Sequence, residues 1–380
     1  MNRTDEFTRD GSAIVYCEGA YATTNGKTAH GLVRRTARYR VLSVIDSTQA
    51  GEDAGASLDG VHRDIPIVAD LKAALEDARA RDVEPTHFVI GLAPDGGRLD
   101  PTTRAAVLAA LQARLHVDAG LHDYLSEDEE LVALAALCGA QIRDVRKPPA
   151  LADLHFWSGK IEEVHSFKVA ILGTDSAVGK RTTAWLLCDA LEQAGLTSVM
   201  VGTGQTAWLQ GARYGVVLDS LVNDFVSGEI EHAVWSAWHA ERPDVLVLEG
   251  QGSLLNPAYP GGFELLAAAR PDVVVLQHAP ARRDYDGFPG SRLHPLGRQI
   301  EAVEIISGRQ VVAVALNREG LAAHQVPAIA RELRQRVGLP VVDPLGDGAR
   351  ALAELVRHRR DAPPPRATAS NGDRHSRPRA

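Results

Sequence analysis

The stretch 168–183, KVAILGTDSAVGKRTT, leaves a chain few choices of fold. An apolar run ends in a turn bounded by glycines, and a lysine then opens a helical pattern. That strand–loop–helix unit belongs in a parallel sheet, where the strand is buried on both faces. The turn needs glycines so that backbone N–H groups can converge on an anion, and the helix N-terminus behind them adds partial positive charge. Gly173, Thr174, Asp175, Val178, Gly179, Lys180, Arg181 and Thr182 are therefore the predicted phosphate-contacting residues, with Lys180 as the point charge.

Two departures from the ordinary phosphate loop stand out. Five residues rather than four separate Gly173 from Gly179, and Arg181 stands where a magnesium-holding hydroxyl is expected, with Thr182 and Thr183 after it. One residue along a helix rotates a side chain by about 100°, so Thr182 does not simply inherit that task. If magnesium is used, Thr182 and Glu249 are the candidates to hold it.

The rest of the chain fits a predicted α/β fold. Short apolar runs alternate with helical patterns in the first half, with strands predicted at 13–17, 40–45 and 87–91 and helices near 26–35, 70–80 and 101–115. The loop 19–28, GAYATTNGKT, echoes a phosphate loop, but six residues separate its glycines, so it reads as an ordinary strand-to-helix loop. The double proline in 146–159, RKPPALADLHFWSG, marks a connector. Beyond it, strands are predicted at 166–172, 198–201, 245–248, 273–276 and 311–316, with a helix over 180–194. The expected organisation is a tail over 1–11, a Rossmann-like domain over 12–150, a P-loop NTPase-like parallel α/β domain over 151–360 and a disordered, proline-rich tail over 361–380.

Composition narrows the partners. A net charge of −8 argues against nucleic acid, whose affinity rests on neutralising phosphates. Cys17, Cys138 and Cys188 lack any C-x-x-C spacing, which suggests neither a disulfide framework nor a zinc site. No stretch approaches the roughly 18 apolar residues of a membrane span, and the first residues show no apolar signal region. A soluble cytoplasmic protein with no membrane partner is the expectation.

Chemistry concentrates at predicted strand ends. Glu249, Gly250, Gln251, Gly252 and Ser253 form EGQGS, an acid followed by small residues that let a substrate approach the backbone. Such an acid can hold a metal or act as a base. His278 also ends a strand and titrates near neutrality if unperturbed. Asp219 and Asp224 are five apart, about 140° around the axis if the residues between them are helical, so the two are not assumed to face one ligand, and one of them is expected to cap a helix. Asn317, after VVAVAL, is placed either to meet a nucleotide base or to make a turn.

The order GTDSAVGK, EGQGS, ALNR resembles the dethiobiotin synthetase and cobyrinic acid amidase branch of the phosphate-loop proteins. A closer resemblance runs from about residue 12 to 357. It rests on DSTQAG (46–51), GLAPDGGRL (91–99), DAGLHDYLSED (118–128), RDVRKPP (143–149), GTDSAVGKRTT, GTGQTAWLQGARYGVVLDSLVNDFVSGEIE (202–231) and EGQGSLLNPAY (249–259). By these motifs the chain is similar to the DgcN-like D-glutamate N-acetyltransferase family.

That resemblance implies a Rossmann-like domain joined to a phosphate-loop domain in a homo-oligomer, and transfer of acetyl from acetyl-coenzyme A to the amine of D-glutamate or a related acidic amino acid. Coenzyme A carries phosphates, so the loop would anchor it without phosphoryl transfer, and magnesium becomes optional. Acetyl transfer to an amine requires a proton acceptor and donors for the oxyanion. Glu249 is the first candidate acceptor, with Asp219, Asp224 and His278 behind it, and residues 250–253 would face the reacting carbonyl or the substrate carboxylate. A dicarboxylate amino acid also needs cationic clamps, for which Arg213, Arg282 and Arg283 are candidates. The segment 281–296 reads as a lid, and His122 and Tyr124 could close the cleft from the first domain. Two alternatives stand beside this reading: ATP- and magnesium-dependent carboxylate activation, and a nucleotide-sensing module.

Overall fold

The structure is a computed structural model and describes residues 9–362. The tail expected from 361 onward therefore lies almost entirely outside the described residues, as does most of 1–11. Two parallel sheets follow each other along the chain.

The first contains β1 (Gly11–Tyr16), β2 (Tyr39–Ile45), β3 (Ile67–Val68), β4 (His87–Ile90), β5 (His116–Ala119) and β6 (Ile142–Asp144), in the spatial order β3-β2-β1-β4-β5-β6. Helices α1 (Lys27–Arg34), α2 (Ala54–Asp59), α3 (Leu71–Ala80), α4 (Pro101–Gln112) and α5 (Glu129–Cys138) connect or flank them. Every strand pair is parallel, and the apolar residues Ile14, Phe88, Ile90 and Val117 face one core while Val15, Val44 and Val89 face the other. The order reverses between β1 and β4, the position where open α/β sheets leave a crevice. Here α1 fills it closely: Ala29 N–H donates to Gly91 O (3.1 Å), and a Cβ on Gly91 would come within 2.8 Å of the Ala29 methyl.

The second sheet contains β7 (Phe167–Gly173), β8 (Ser198–Gly202), β9 (Tyr214–Gly215), β10 (Val245–Glu249), β11 (Val273–His278), β12 (Val311–Leu316) and β13 (Val341–Val342). Its order is β13-β12-β11-β7-β10-β8-β9, again all parallel. Its helices are α6 (Lys180–Gln193), α7 (Gln205–Leu209), α8 (Asn223–Glu241), α9 (Phe263–Ala269), α10 (Leu296–Ser307), α11 (Val326–Val337) and α12 (Ala349–Asp361). The strand that carries the phosphate loop is thus central, and its apolar residues are buried on both faces: Ala170 and Leu172 on one, Val169 and Ile171 on the other. In α6, Thr183, Ala184, Leu187, Cys188 and Leu191 recur with helical spacing and are buried.

The two sheets share a packed junction. Leu209 of α7 is fully buried in a cluster with Ala29, Leu32 and Val33 of α1. Thr28 and Thr206 join hydroxyl to hydroxyl at 2.8 Å, Gln210 Nε2 donates to the carbonyls of Gly31 and Arg35, and the Arg38 guanidinium lies 3.6 Å over the Trp208 ring. The predicted loop 19–28 leads directly into this junction.

Candidate functional site

The phosphate loop closes around its own backbone. Gly179 has φ +99°, and a Cβ there would meet Asn317 Nδ2 at 3.4 Å. A Cβ on Gly173 would lie 3.0 Å from Lys180 Nζ. Both positions therefore require glycine, one for its dihedral and one for space. The Lys180 ammonium donates to Asp175 O and Gly252 O, each at 2.8 Å. Burial pulls its pKa down to about 8, aided by the charges of Arg282 and Lys27 and opposed by Asp175 and Glu249.

The Asp175 carboxylate is sealed from solvent and holds the loop's outer side. Its Oδ1 accepts from Asn256 Nδ2 (2.8 Å) and Ser176 N (2.7 Å), and its Oδ2 from Arg282 Nη1 and Asp286 N (both 2.9 Å). Arg282 uses all five of its N–H groups on Asp175, Glu319 and the carbonyls of Ser176 and Ala177. It braces the loop and has no N–H left for a substrate carboxylate. Asn317 acts from the other side: Nδ2 donates to Val178 O at 2.6 Å while Oδ1 accepts from Glu319 N. The second bond is the turn that the sequence allowed at this position, and the first props the phosphate loop.

Arg181 runs toward the first sheet. Its Nη2 donates to Lys27 O at 3.1 Å, and its Nε is buried with no partner. Thr182, next in the helix, is partly exposed, and Thr183 is buried with its hydroxyl donating to Gln277 Oε1 at 2.6 Å. The residue standing where a hydroxyl was expected is thus an arm across the domain junction.

Glu249 ends β10 beside the loop and is buried. Its Oε2 accepts from Thr203 N at 3.1 Å. Burial raises its carboxyl above the usual range, opposed by the charge of Arg181, the Thr203 N–H and the charge of Lys180. The hydroxyls of Thr203 and Ser253 are buried without partners. In residues 250–253 the backbone is partly spent: Gly250 N–H donates to Ile171 O and Ser253 N–H to Tyr259 O, so neither is open to an oxyanion. Gln251 Nε2 donates to Thr203 O at 2.8 Å, and Gly252, at φ +47°, turns its carbonyl to Lys180.

The other candidate bases are not gathered at this point. His278 lies beneath the loop with Nδ1 3.0 Å from Thr174 Oγ1, and burial, with the charge of Arg336, pushes its pKa down to about 4. It is a neutral ring at physiological pH and a weak base. Asp219 forms an ion pair with Arg146. Asp224 is exposed in the first turn of α8, and neither aspartate caps that helix. Arg213 pairs with Glu241 at the edge strand's end of the sheet, and Arg283 is exposed. The segment 281–296 is pinned rather than loose: Tyr285 is buried, its hydroxyl donates to Leu255 O at 2.8 Å, and Asp284 bridges to Arg292. His122 is exposed and Tyr124 lies under Lys147.

Lys27, Arg146, Thr203 and Asn256 were not singled out by sequence reasoning. Lys27 sat in a loop whose glycine spacing did not match, and Arg146 beside a double proline that read only as a connector. Thr203 and Asn256 fell inside quoted motifs with no signal of their own.

Comparisons with known proteins follow the same two-part division. Residues 47–148 match the family described as "Domain of unknown function (DUF1611_N) Rossmann-like domain", and residues 155–353 match "Domain of unknown function (DUF1611_C) P-loop domain". A protein named D-glutamate N-acetyltransferase from Tritonibacter scottomollicae is 29% identical over 74% of this chain and 84% of its own length. One of the same name from a Pseudoalteromonas species is 31% identical over 70% of this chain and 79% of its own. The crystal structure of a DUF1611 family protein from Anabaena variabilis superposes with a TM-score of 0.82 at 31% identity, covering 91% of this chain and 99% of that one.

Proposed function

The chain belongs to the DUF1611 family, and from that membership we propose that it moves an acetyl group from acetyl-coenzyme A to the amine of an acidic amino acid, D-glutamate foremost. The observation that carries this reading is Arg181, which takes the place of the metal-holding hydroxyl and ties the phosphate loop to the first domain. An anchor for phosphates that are not transferred needs a cradle and cations, not a hydroxyl on magnesium.

The residues present fit such a phosphate group. Glycine is required at 173 and 179, and Arg181 Nε, Thr203 Oγ1 and Ser253 Oγ are buried without partners. Lys180, Arg181 and the N-terminus of α6 would hold the phosphates, with Lys27 contributing charge from the first domain. Acetyl-coenzyme A supplies an acyl carbon activated as a thioester. The attacking amine must be neutral and must shed a proton as it bonds to that carbon, while the carbon–sulfur bond breaks and the thiolate released takes up a proton to give free thiol. Glu249 accepts the proton, because burial makes its carboxylate a stronger base than an exposed one.

The test is to incubate the protein with acetyl-coenzyme A and D- or L-glutamate while following free thiol. Stereoselective release is expected; no release with any acidic amino acid would refute the reading. Magnesium-dependent formation of ADP without thiol release would instead favour carboxylate activation.

A further inference from the structure

We propose that the cleft between residues 145–149 and the ends of β8 and β9 receives a carboxylate of the acceptor, with Arg146 as its clamp and Asp219 as the internal partner it displaces. This inference rests on the acetyl-transfer reading above and names the substrate subsite within it.

The cleft measures about 180 Å³, the scale of a small amino acid, and Val145, Pro149, Trp208 and Ala212 make much of its wall apolar. Gly202 and Gly204 complete the wall and flank Thr203, whose N–H holds the Glu249 carboxylate. A Cβ on Gly202 would stand 3.6 Å from Glu249 Oε2. The cleft wall is thus continuous with the backbone that holds the proposed proton acceptor, and the Ala207 methyl, 2.5 Å from the same Cβ position, packs against that stretch.

Arg146 is 6% exposed. Its Nε donates to Gly120 O at 3.0 Å, just beyond β5, which fixes the guanidinium plane from the first domain. Its Nη1 pairs with Asp219, whose side chain is 46% exposed. The two partners are unequal. Asp219 can return to water at little cost, whereas a buried guanidinium left unpaired is strongly disfavoured. Arg146 is thus a cation that accepts exchange of one carboxylate for another but not the loss of both. The remaining charges on the wall are occupied: Lys147 turns to Ser126 and Glu127, and Glu229 holds His155. The planar fork of an arginine suits a carboxylate acceptor in a way a lysine does not.

The experiment combines kinetics on D-glutamate and D-glutamine with calorimetric binding of glutarate, an unreactive dicarboxylate. Arg146→Gln should raise the KM for D-glutamate about 10- to 100-fold, the range for losing a charged hydrogen bond. It should weaken glutarate to a similar degree, narrow the preference for D-glutamate over D-glutamine, and leave the Kd for coenzyme A unchanged. Asp219→Asn should move the other way and tighten glutarate, since the internal competitor loses its charge; this variant serves as the test if Arg146→Gln does not fold. Retained glutarate affinity and acid preference in Arg146→Gln, or weakened glutarate in Asp219→Asn, would overturn the clamp. A wild-type protein that binds glutarate through Arg146 but transfers no acetyl would overturn the proposed function and leave the clamp standing. A wild-type protein that binds no dicarboxylate at all overturns the clamp.

Discussion

Lys180 carries its charge where burial disfavours it, and the two carbonyls that receive its hydrogen bonds compensate only in part. An anion seated in the loop would supply the missing counter-charge. The free protein holds the ammonium below a pKa of about 8 and loses it as pH rises through that value, so the kcat/KM for acetyl-coenzyme A should fall on the alkaline side of 8. Glu249 works in the opposite sense. Its carboxyl is raised, so it takes up a proton, and ceases to act as a base, at a pH above the ordinary glutamate range as the solution is acidified. A bell-shaped profile is expected. Glu249→Gln should lower kcat by about 100-fold or more and remove the acid limb. Lys180→Ala should raise the KM for acetyl-coenzyme A far more than it lowers kcat; the reverse would count against a loop that only anchors. That these two residues stand at neighbouring strand ends was legible in the sequence, because each ends or follows a strand beside glycine. That Arg282 braces the loop and His278 lies under it was not, because both depend on which partners the fold brings near.

A single element shows how backbone contact overrides propensity. Gly228 lies inside α8, where alanine would ordinarily stabilise by about 1 kcal/mol. A Cβ there would meet His155 O at 2.0 Å and the Phe156 carbonyl carbon at 2.6 Å, because the connecting segment crosses the helix at this point. The same segment is held by Glu229, through His155 N, and by the buried Glu231, through Ser158 and Ile161. Gly228→Ala should therefore destabilise, by about 1–3 kcal/mol in denaturant titration, and expose 150–160 to protease. A gain in stability would mean that the segment is not packed as described. Elements differ in how far they could be read from residues alone. The apolar runs of β1, β2, β4, β7, β8, β10, β11 and β12 coincide with predicted strands to within two residues at either end. By contrast β5 and β6 were missed because they are polar: Asp118 and Arg143 are cross-strand neighbours joined by an ion pair, with the Tyr39 hydroxyl donating to Asp118 at 2.5 Å. Charge in a strand is invisible to an apolar pattern until its partner is known.

At the scale of the whole molecule, the two parallel sheets and their order along the chain followed from the alternation of strands and helices. The junction did not. Leu209 enters the core of the first domain from a helix of the second, and nothing in its sequence neighbourhood announces this. Among the described residues no helix is long and apolar enough to cross a membrane. Arg181 connects that junction to the loop, so its removal should act on both. Arg181→Ala should speed hydrogen exchange in α1 and α7 as well as raise the KM for acetyl-coenzyme A. Lys180→Ala, which loses bonds to the Asp175 and Gly252 carbonyls of the second domain and none to α1, should raise that KM and leave exchange in α1 as it was. Equal exchange in the two variants would separate the arm from the junction.

The bond from Arg181 to the Lys27 carbonyl has a thermodynamic corollary. Coupling between two equilibria is reciprocal: whatever the docked first domain adds to anion affinity, a bound anion adds to docking. The loop is then a latch as well as a cradle, and the concentration of its ligand sets how firmly the two halves of the molecule hold each other.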